Sequence, residues 1–119
     1  MSAAGLGIRS DWIELEETAV AKLHANPGVY ELGDDVGQTL LISYAGGKSL
    51  FGLRGEVAKY IGHEKASKFR VEQNMQYISR WKELMMFFRS QHDRIPELNP
   101  GTDIFGLGHL GPRTRSKEA

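Results

Sequence analysis

The chain contains no cysteine. That removes disulfide staples and thiolate metal centres, and it suits a reducing compartment. It also lacks any apolar run of the roughly 18 residues that a membrane-spanning helix takes. Its opening stretch, Met1 to Arg9, is small and glycine-containing, with no apolar segment of signal-peptide length. The expected setting is therefore soluble and cytoplasmic, with no membrane partner. An excess of one charge is missing too: 15 Lys and Arg balance 15 Asp and Glu, which argues against indiscriminate polyanion binding. What remains is a chain of 119 residues, enough for one domain that buries a core without staples.

The charge is balanced but uneven. Residues 1–53 carry three basic and seven acidic side chains, whereas residues 54–94 carry nine basic and five acidic. A basic middle allows a local anion-binding face, although mixed charge on solvated helix sides produces the same count.

Ser10 and Asp11 offer N-cap oxygens to a first helix, and Trp12, Leu15, Ala19 and Leu23 recur at helical spacing. Asn26-Pro27-Gly28 ends that helix. Val29–Leu32 and Thr39–Ala45 read as two strands around the turn-forming cluster Gly33-Asp34-Asp35-Val36-Gly37, which predicts a hairpin. Gly46-Gly47-Lys48-Ser49 breaks the second strand, and Ser49 is placed to cap a helix over Leu50–Ile61 with Leu53, Val57, Tyr60 and Ile61 as its apolar side. Lys68–Gln73 alternates as a third strand: Phe69 and Val71 face one way, Lys68, Arg70 and Glu72 the other. A long helix over Asn74–His92 follows, with Ile78, Trp81, Met85 and Phe88 as its core stripe, widened by Tyr77 and Leu84.

After Asp93 no period survives. Ile95, Leu98, Ile104, Phe105, Leu107 and Leu110 sit among glycines and prolines, too apolar for a plain disordered tail. The expected organisation is one α+β domain over residues 1–94, a small three-stranded, largely antiparallel sheet flanked by helices, followed by an extended tail over residues 95–119 that docks on its own domain or on a partner.

Several of these residues fall in a recognisable order. Gly28-Val29-Tyr30 is followed after ten residues by Leu41-Ile42-Ser43, then by Lys48-Ser49-Leu50 ahead of Arg54, and by Val71-Glu72-Gln73-Asn74. Over residues 27–80 the chain thus resembles the GIY-YIG nuclease family, whose two tripeptides lie on paired strands, with an arginine at the start of the next helix and a glutamate near a further strand and helix. Three positions depart from the family pattern. Leu41 and Ser43 replace the tyrosine and glycine of the second tripeptide, and Ala58 stands where a tyrosine or histidine often follows the arginine by one turn.

The resemblance implies a phosphodiester-cleaving site. Tyr30 would position or deprotonate water, Arg54 would clamp the phosphate oxygens, and Glu72 would hold a divalent magnesium or manganese ion, with nucleic acid as substrate. Tyr44, Tyr60, His63 and Lys48 are the supporting candidates, the tyrosines for the vacancies at Leu41 and Ala58. Because the missing groups are those that would tune the proton transfer, the site is expected to be weak or vestigial. The alternative is a non-catalytic accessory or oligomerisation module, or a small subunit of a larger assembly, that uses the same scaffold and meets a protein partner or a second copy through residues 95–112. Read singly, each residue also has an ordinary structural role: Tyr30 as a half-buried strand aromatic, Arg54 and Glu72 as members of ion pairs. His24, His63, His92 and His109 lack zinc-site spacing.

Overall fold

A computed structural model describes residues 7–100 of the chain. Its elements are β1 (Ile13–Glu14), α1 (Glu17–Val20), β2 (Gly28–Gly33), β3 (Thr39–Ala45), α2 (Gly52–Ala58), β4 (Lys68–Gln73) and α3 (Tyr77–His92). The class is α+β as expected, but the sheet has four strands, all antiparallel, in the order β1-β4-β2-β3.

The additional strand corrects the predicted first helix. Ile13 and Glu14 pair with Phe69 and Lys68, and the Leu15 N–H donates to the Ser67 carbonyl (2.9 Å). The free edge of β4 thus claims backbone groups that a helix would have used, and only one turn, α1, remains helical. Pairing across the sheet outweighs the local helical spacing. Trp12 leaves the predicted stripe altogether. Its ring lies against Gly33, where a side chain would collide with it, and under the Arg70 guanidinium at 4.1 Å.

The hairpin β2–β3 forms as the turn chemistry demands. The Asp34 carboxylate accepts from the N–H groups of Val36 (3.1 Å) and Gln38 (2.9 Å), and Gly37 adopts φ 86°. β2 is the central strand and is buried along its whole length. Alternation splits its side chains between two cores. Tyr30 and Leu32 join Leu41, Phe69, Leu53, Val57 and Val20 on the front face, under α1 and α2. Val29 joins Ile42, Leu84, Met85 and Phe88 on the back face, under α3.

Both predicted long helices are shorter than expected. α2 starts at Gly52 with Phe51 at its N-cap and no side-chain cap, so Ser49 does not cap it. Gly52, at φ 56°, packs on the backbone of Ala25 and Asn26, and the Leu53 N–H donates to the Asn26 carbonyl (2.9 Å). α3 begins at Tyr77 rather than Asn74 and ends on a left-handed Asp93, φ 58°. Its buried stripe is Leu84, Met85 and Phe88, with Tyr77 and Trp81 packed alongside. Ile78, predicted in that stripe, is instead exposed. Among the described residues no helix is long and apolar enough to cross a membrane.

The packed structure continues past residue 94. Pro96 is fully buried and Ile95 and Leu98 lie against the two cores. The Leu98 N–H donates to the Leu40 carbonyl (2.9 Å), and the Asn99 carboxamide both accepts from the Ile42 N–H and donates to its carbonyl, each at 2.9 Å. Residues 95–99 therefore strap the outer edge of β3. The tail residues Ile104, Phe105, Leu107 and Leu110 lie outside the described residues.

Candidate functional site

Register decides which of the predicted site residues can meet. In the antiparallel pair β2–β4, Tyr30 faces Val71 and Val29 faces Glu72. Directly opposed residues point to the same side of a sheet, and neighbours along a strand point to opposite sides. Tyr30 therefore projects to the front and Glu72 to the back. The structure brings Tyr30 together with Tyr60 and with the helix that carries Arg54, and it leaves Glu72 behind the sheet.

On the front, Tyr30 is almost fully buried beneath Val57 and Tyr60, with the Tyr60 ring centroid 6.4 Å away. Burial drives its phenol well above the ordinary tyrosine range. Ser43 pulls the other way, while Tyr60 and the Glu56 carboxylate add to the rise. A phenol held this firmly in its neutral form is a poor acceptor for a proton from water. The Arg54 side chain makes no ion pair or hydrogen bond among the described residues. The His63 ring lies 6.3 Å from that of Tyr60, tilted by 52°, and turns its Nδ1 toward its own loop, where it accepts from the N–H groups of Lys65 (3.0 Å) and Ala66 (3.2 Å).

On the back, Glu72 is held by Arg80 of α3. The guanidinium donates Nε to Oε2 (2.8 Å) and Nη2 to Oε1 (3.0 Å), and the Asn74 carboxamide donates to Oε2 (3.0 Å). Arg80 also reaches the Gly7 carbonyl (3.0 Å) and Glu83. Burial raises the Glu72 carboxyl, but the bonds from Arg80 and Asn74 outweigh it and leave the group below the ordinary range. A divalent cation at Glu72 would have to displace this two-pronged guanidinium contact. A second ion pair sits beside it: Arg70 Nη2 lies 2.8 Å from Glu31. Burial still holds the Glu31 carboxyl above its ordinary range, against the pull of Arg70.

The two remaining candidates, Tyr44 and Lys48, lie elsewhere. Together with Gly46, Gly47, Ser49, Glu56, Tyr77 and Ile78 they line an open groove of about 590 Å³ at the end of β3. Its apolar wall is aromatic: Tyr44 packs on Tyr77 (ring centroids 5.5 Å) and edge-on to Trp81 (5.2 Å). Its floor is polar and internally satisfied. The Gly47 N–H donates to the Tyr77 hydroxyl (3.1 Å), the Gly46 N–H to Ser49 Oγ (3.2 Å), and Ser49 Oγ to Glu56 Oε2 (3.2 Å). These bonds occupy the amides of Gly46 and Gly47, so the loop is not an anion nest.

The groove continues the free edge of the sheet. β3 is the outermost strand. The Ile42 N–H and carbonyl face outward, where Asn99 takes them. Alternation turns the backbone of Tyr44 to the same side, and among the described residues nothing bonds it there. Exposed apolar side chains flank this end of the sheet: Leu50 and Phe51 in the loop before α2, Met75 in the turn before α3 and Ile78 in its first turn. Sequence spacing assigned Ile78 to the helix core, and the strap over residues 95–99 had no periodic signal. The one available clue was the apolar character of the residues after Asp93.

The chain matches no curated protein and no solved structure. A family model matches residues 6–91, which take in all four strands and nearly all of α3, and by that match the chain belongs to the family described as a domain of unknown function, DUF7508.

Proposed function

We propose that this domain is a non-catalytic interaction module that receives an extended, largely apolar peptide segment on the outer edge of β3. The observation that carries this reading is the outward-facing backbone of Tyr44, beyond the reach of Asn99, beside a groove walled by Tyr44, Tyr77 and Ile78. An unpaired edge supplies main-chain hydrogen bonds to an added strand, and an adjacent pocket selects its side chains. The exposed Leu50, Phe51, Met75 and Ile78 give that end of the molecule the apolar rim of a contact surface. The nuclease reading has weaker support, because Tyr30 is buried and protonated on one face while Glu72 is paired to Arg80 on the other.

Two measurements test the proposal. Titration of the full chain with a ten-residue peptide of alternating valine and threonine is expected to move amide resonances of Leu40–Lys48, Tyr77 and Ile78. Ile78→Glu, at an exposed position, should weaken that binding about tenfold, the loss of one apolar contact of roughly 1.5 kcal/mol. Shifts scattered over the whole sheet would count against the edge. Supercoiled plasmid incubated with magnesium or manganese is expected to stay intact. Nicking by the wild type that disappears in Glu72→Ala would overturn the non-catalytic reading.

A further inference from the structure

We infer that the Asn99 side chain is an internal competitor for the edge of β3: it holds the place of a partner strand at Ile42, and a peptide that docks on Tyr44, as proposed above, displaces it and pairs with Ile42 as well.

The outward row of β3 is short. Leu40, Ile42 and Tyr44 turn their backbone groups away from β2. The Leu98 N–H takes the Leu40 carbonyl. Gly46, next in the row, is closed by its own loop: its N–H donates to Ser49 Oγ (3.2 Å), and its carbonyl accepts from the Ser49 N–H (3.1 Å). With Asn99 in place, Tyr44 is the one open residue of this row among the described residues. A single residue offers an added strand one N–H and one carbonyl. The second such pair is at Ile42, under Asn99.

Asn99 has the chemistry of the strand it would give way to. Its carboxamide accepts from the Ile42 N–H and donates to the Ile42 carbonyl, both at 2.9 Å. Those are the two bonds that a facing residue of an adjacent antiparallel strand makes.

Two features ease the exchange. The Ile42 carbonyl also accepts from Trp81 Nε1 (2.9 Å), so it keeps a partner while Asn99 is away. The strap is anchored ahead of Asn99 as well: Pro96 is fully buried, Leu98 packs on the front core, and Glu97 pairs with Lys65. Asn99 is half-buried and is followed by the exposed Pro100. Rotation about its χ1 therefore withdraws the carboxamide without lifting Pro96 or Leu98.

A competitor of this kind lowers the apparent affinity for a peptide by the fraction of time it leaves the edge open. Asn99→Ala deletes two hydrogen bonds of the folded chain, yet it should strengthen peptide binding.

Titration of the full chain with the valine–threonine peptide, followed by NMR, tests this. Asn99→Ala is expected to bind about tenfold tighter than the wild type. The Ile42 amide resonance should move in both proteins. In the wild type the side-chain NH2 resonances of Asn99 should shift toward those of a solvated carboxamide as peptide is added, a readout that requires no variant. Amide exchange at Tyr30 and Glu31 of the central strand, unchanged in Asn99→Ala, reports that the variant is folded. If it does not fold, the Asn99 resonances decide alone. Equal or weaker binding by the folded variant overturns the inference, as do Asn99 resonances that stay in place at saturating peptide. If the peptide still moves Tyr44, Tyr77 and Ile78 in that case, the docking reading stands without it. If the peptide binds neither protein, both fail. If Asn99→Ala sediments as a dimer without peptide and binds none, the strand that Asn99 replaces belongs to a second copy, and the peptide assignment is overturned.

Discussion

Gly28→Ala is expected to cost about 3 kcal/mol or more, near the upper end for overpacking. A Cβ built at Gly28 would lie 2.2 Å from the Glu72 carbonyl oxygen, 2.9 Å from Leu53 Cδ1 and 3.0 Å from Gln73 Cα. Leu53 can rotate away, but the other two atoms belong to the backbone of β4. That strand cannot move without opening the pairing of Gly28 with Gln73 and of Val29 with Glu72. The clash also falls on the central strand, which is paired on both sides. For a domain of this size such a loss lowers the melting temperature by roughly 15 °C. Gly47→Ala is the control, because a Cβ there meets only the Tyr77 hydroxyl at 4.0 Å. Its expected effect is within about 0.5 kcal/mol of zero. Urea melts of the two variants decide the matter, and a Gly28→Ala midpoint equal to that of the wild type would show that β2 and β4 do not approach as described. The glycine that opens the Gly28-Val29-Tyr30 tripeptide thus has a packing reason for being there, independent of any chemistry at Tyr30.

Much of the sheet was legible from the residues. Val29, Tyr30 and Leu32, the branched run Thr39–Ala45 and the alternation from Lys68 to Gln73 each carry a strand signal, and Asp34 and Gly37 carry the turn. The placement of Lys68, Arg70 and Glu72 on one face of β4 followed from period two alone. What the sequence does not encode locally is which face of β2 they share. A slip of one residue in the β2–β4 pairing would have set Glu72 on the side of Tyr30 rather than of Val29. Whether a phenol and a carboxylate share a site was therefore a question of register, which depends on contacts across about forty residues. The pairing of Glu72 with Arg80 was hidden for a similar reason, since it needs the turn between β4 and α3 to fold the helix back over the strand. The two-residue strand at Ile13 has no signal of its own. It exists because β4 offers an edge.

Arg80→Met should be the second large effect, a loss of about 2–3 kcal/mol at neutral pH, below the full cost of breaking a buried pair because Glu72 keeps some contact with water. Methionine retains much of the apolar stem but none of the donors to Glu72, Glu83 and the Gly7 carbonyl. Glu72 would keep only Asn74 as a donor. The loss should depend on pH in a definite direction. Wild-type Glu72 has its carboxyl lowered on balance, burial being outweighed by Arg80 and Asn74. A carboxylate with a lowered folded pKa adds stability above its unfolded pKa, and that stability drains away as pH falls through the folded value. In the variant burial acts with far less opposition, the folded pKa of Glu72 rises, and protonation on acidification relieves the buried charge. The gap between wild type and variant should therefore be widest near pH 7 and narrow steadily toward pH 4. Glu31, raised by burial against the pull of Arg70, contributes with the opposite sign: its stabilisation belongs to low pH and fades as pH rises through its folded pKa. Arg80 also draws the Glu31 carboxyl down, so in the variant Glu31 rises further and widens the gap near pH 7 in the same direction as Glu72. Adding Glu72→Gln to Arg80→Met removes the stranded charge and should recover part of the loss at pH 7 and little of it at pH 4. Chemical melts at several pH values would read all of this. A gap that stays constant from pH 7 to pH 4 would mean that Arg80 acts on the fold through packing alone. Glu72 would then have no electrostatic tie to α3, and its carboxylate would not be committed to Arg80.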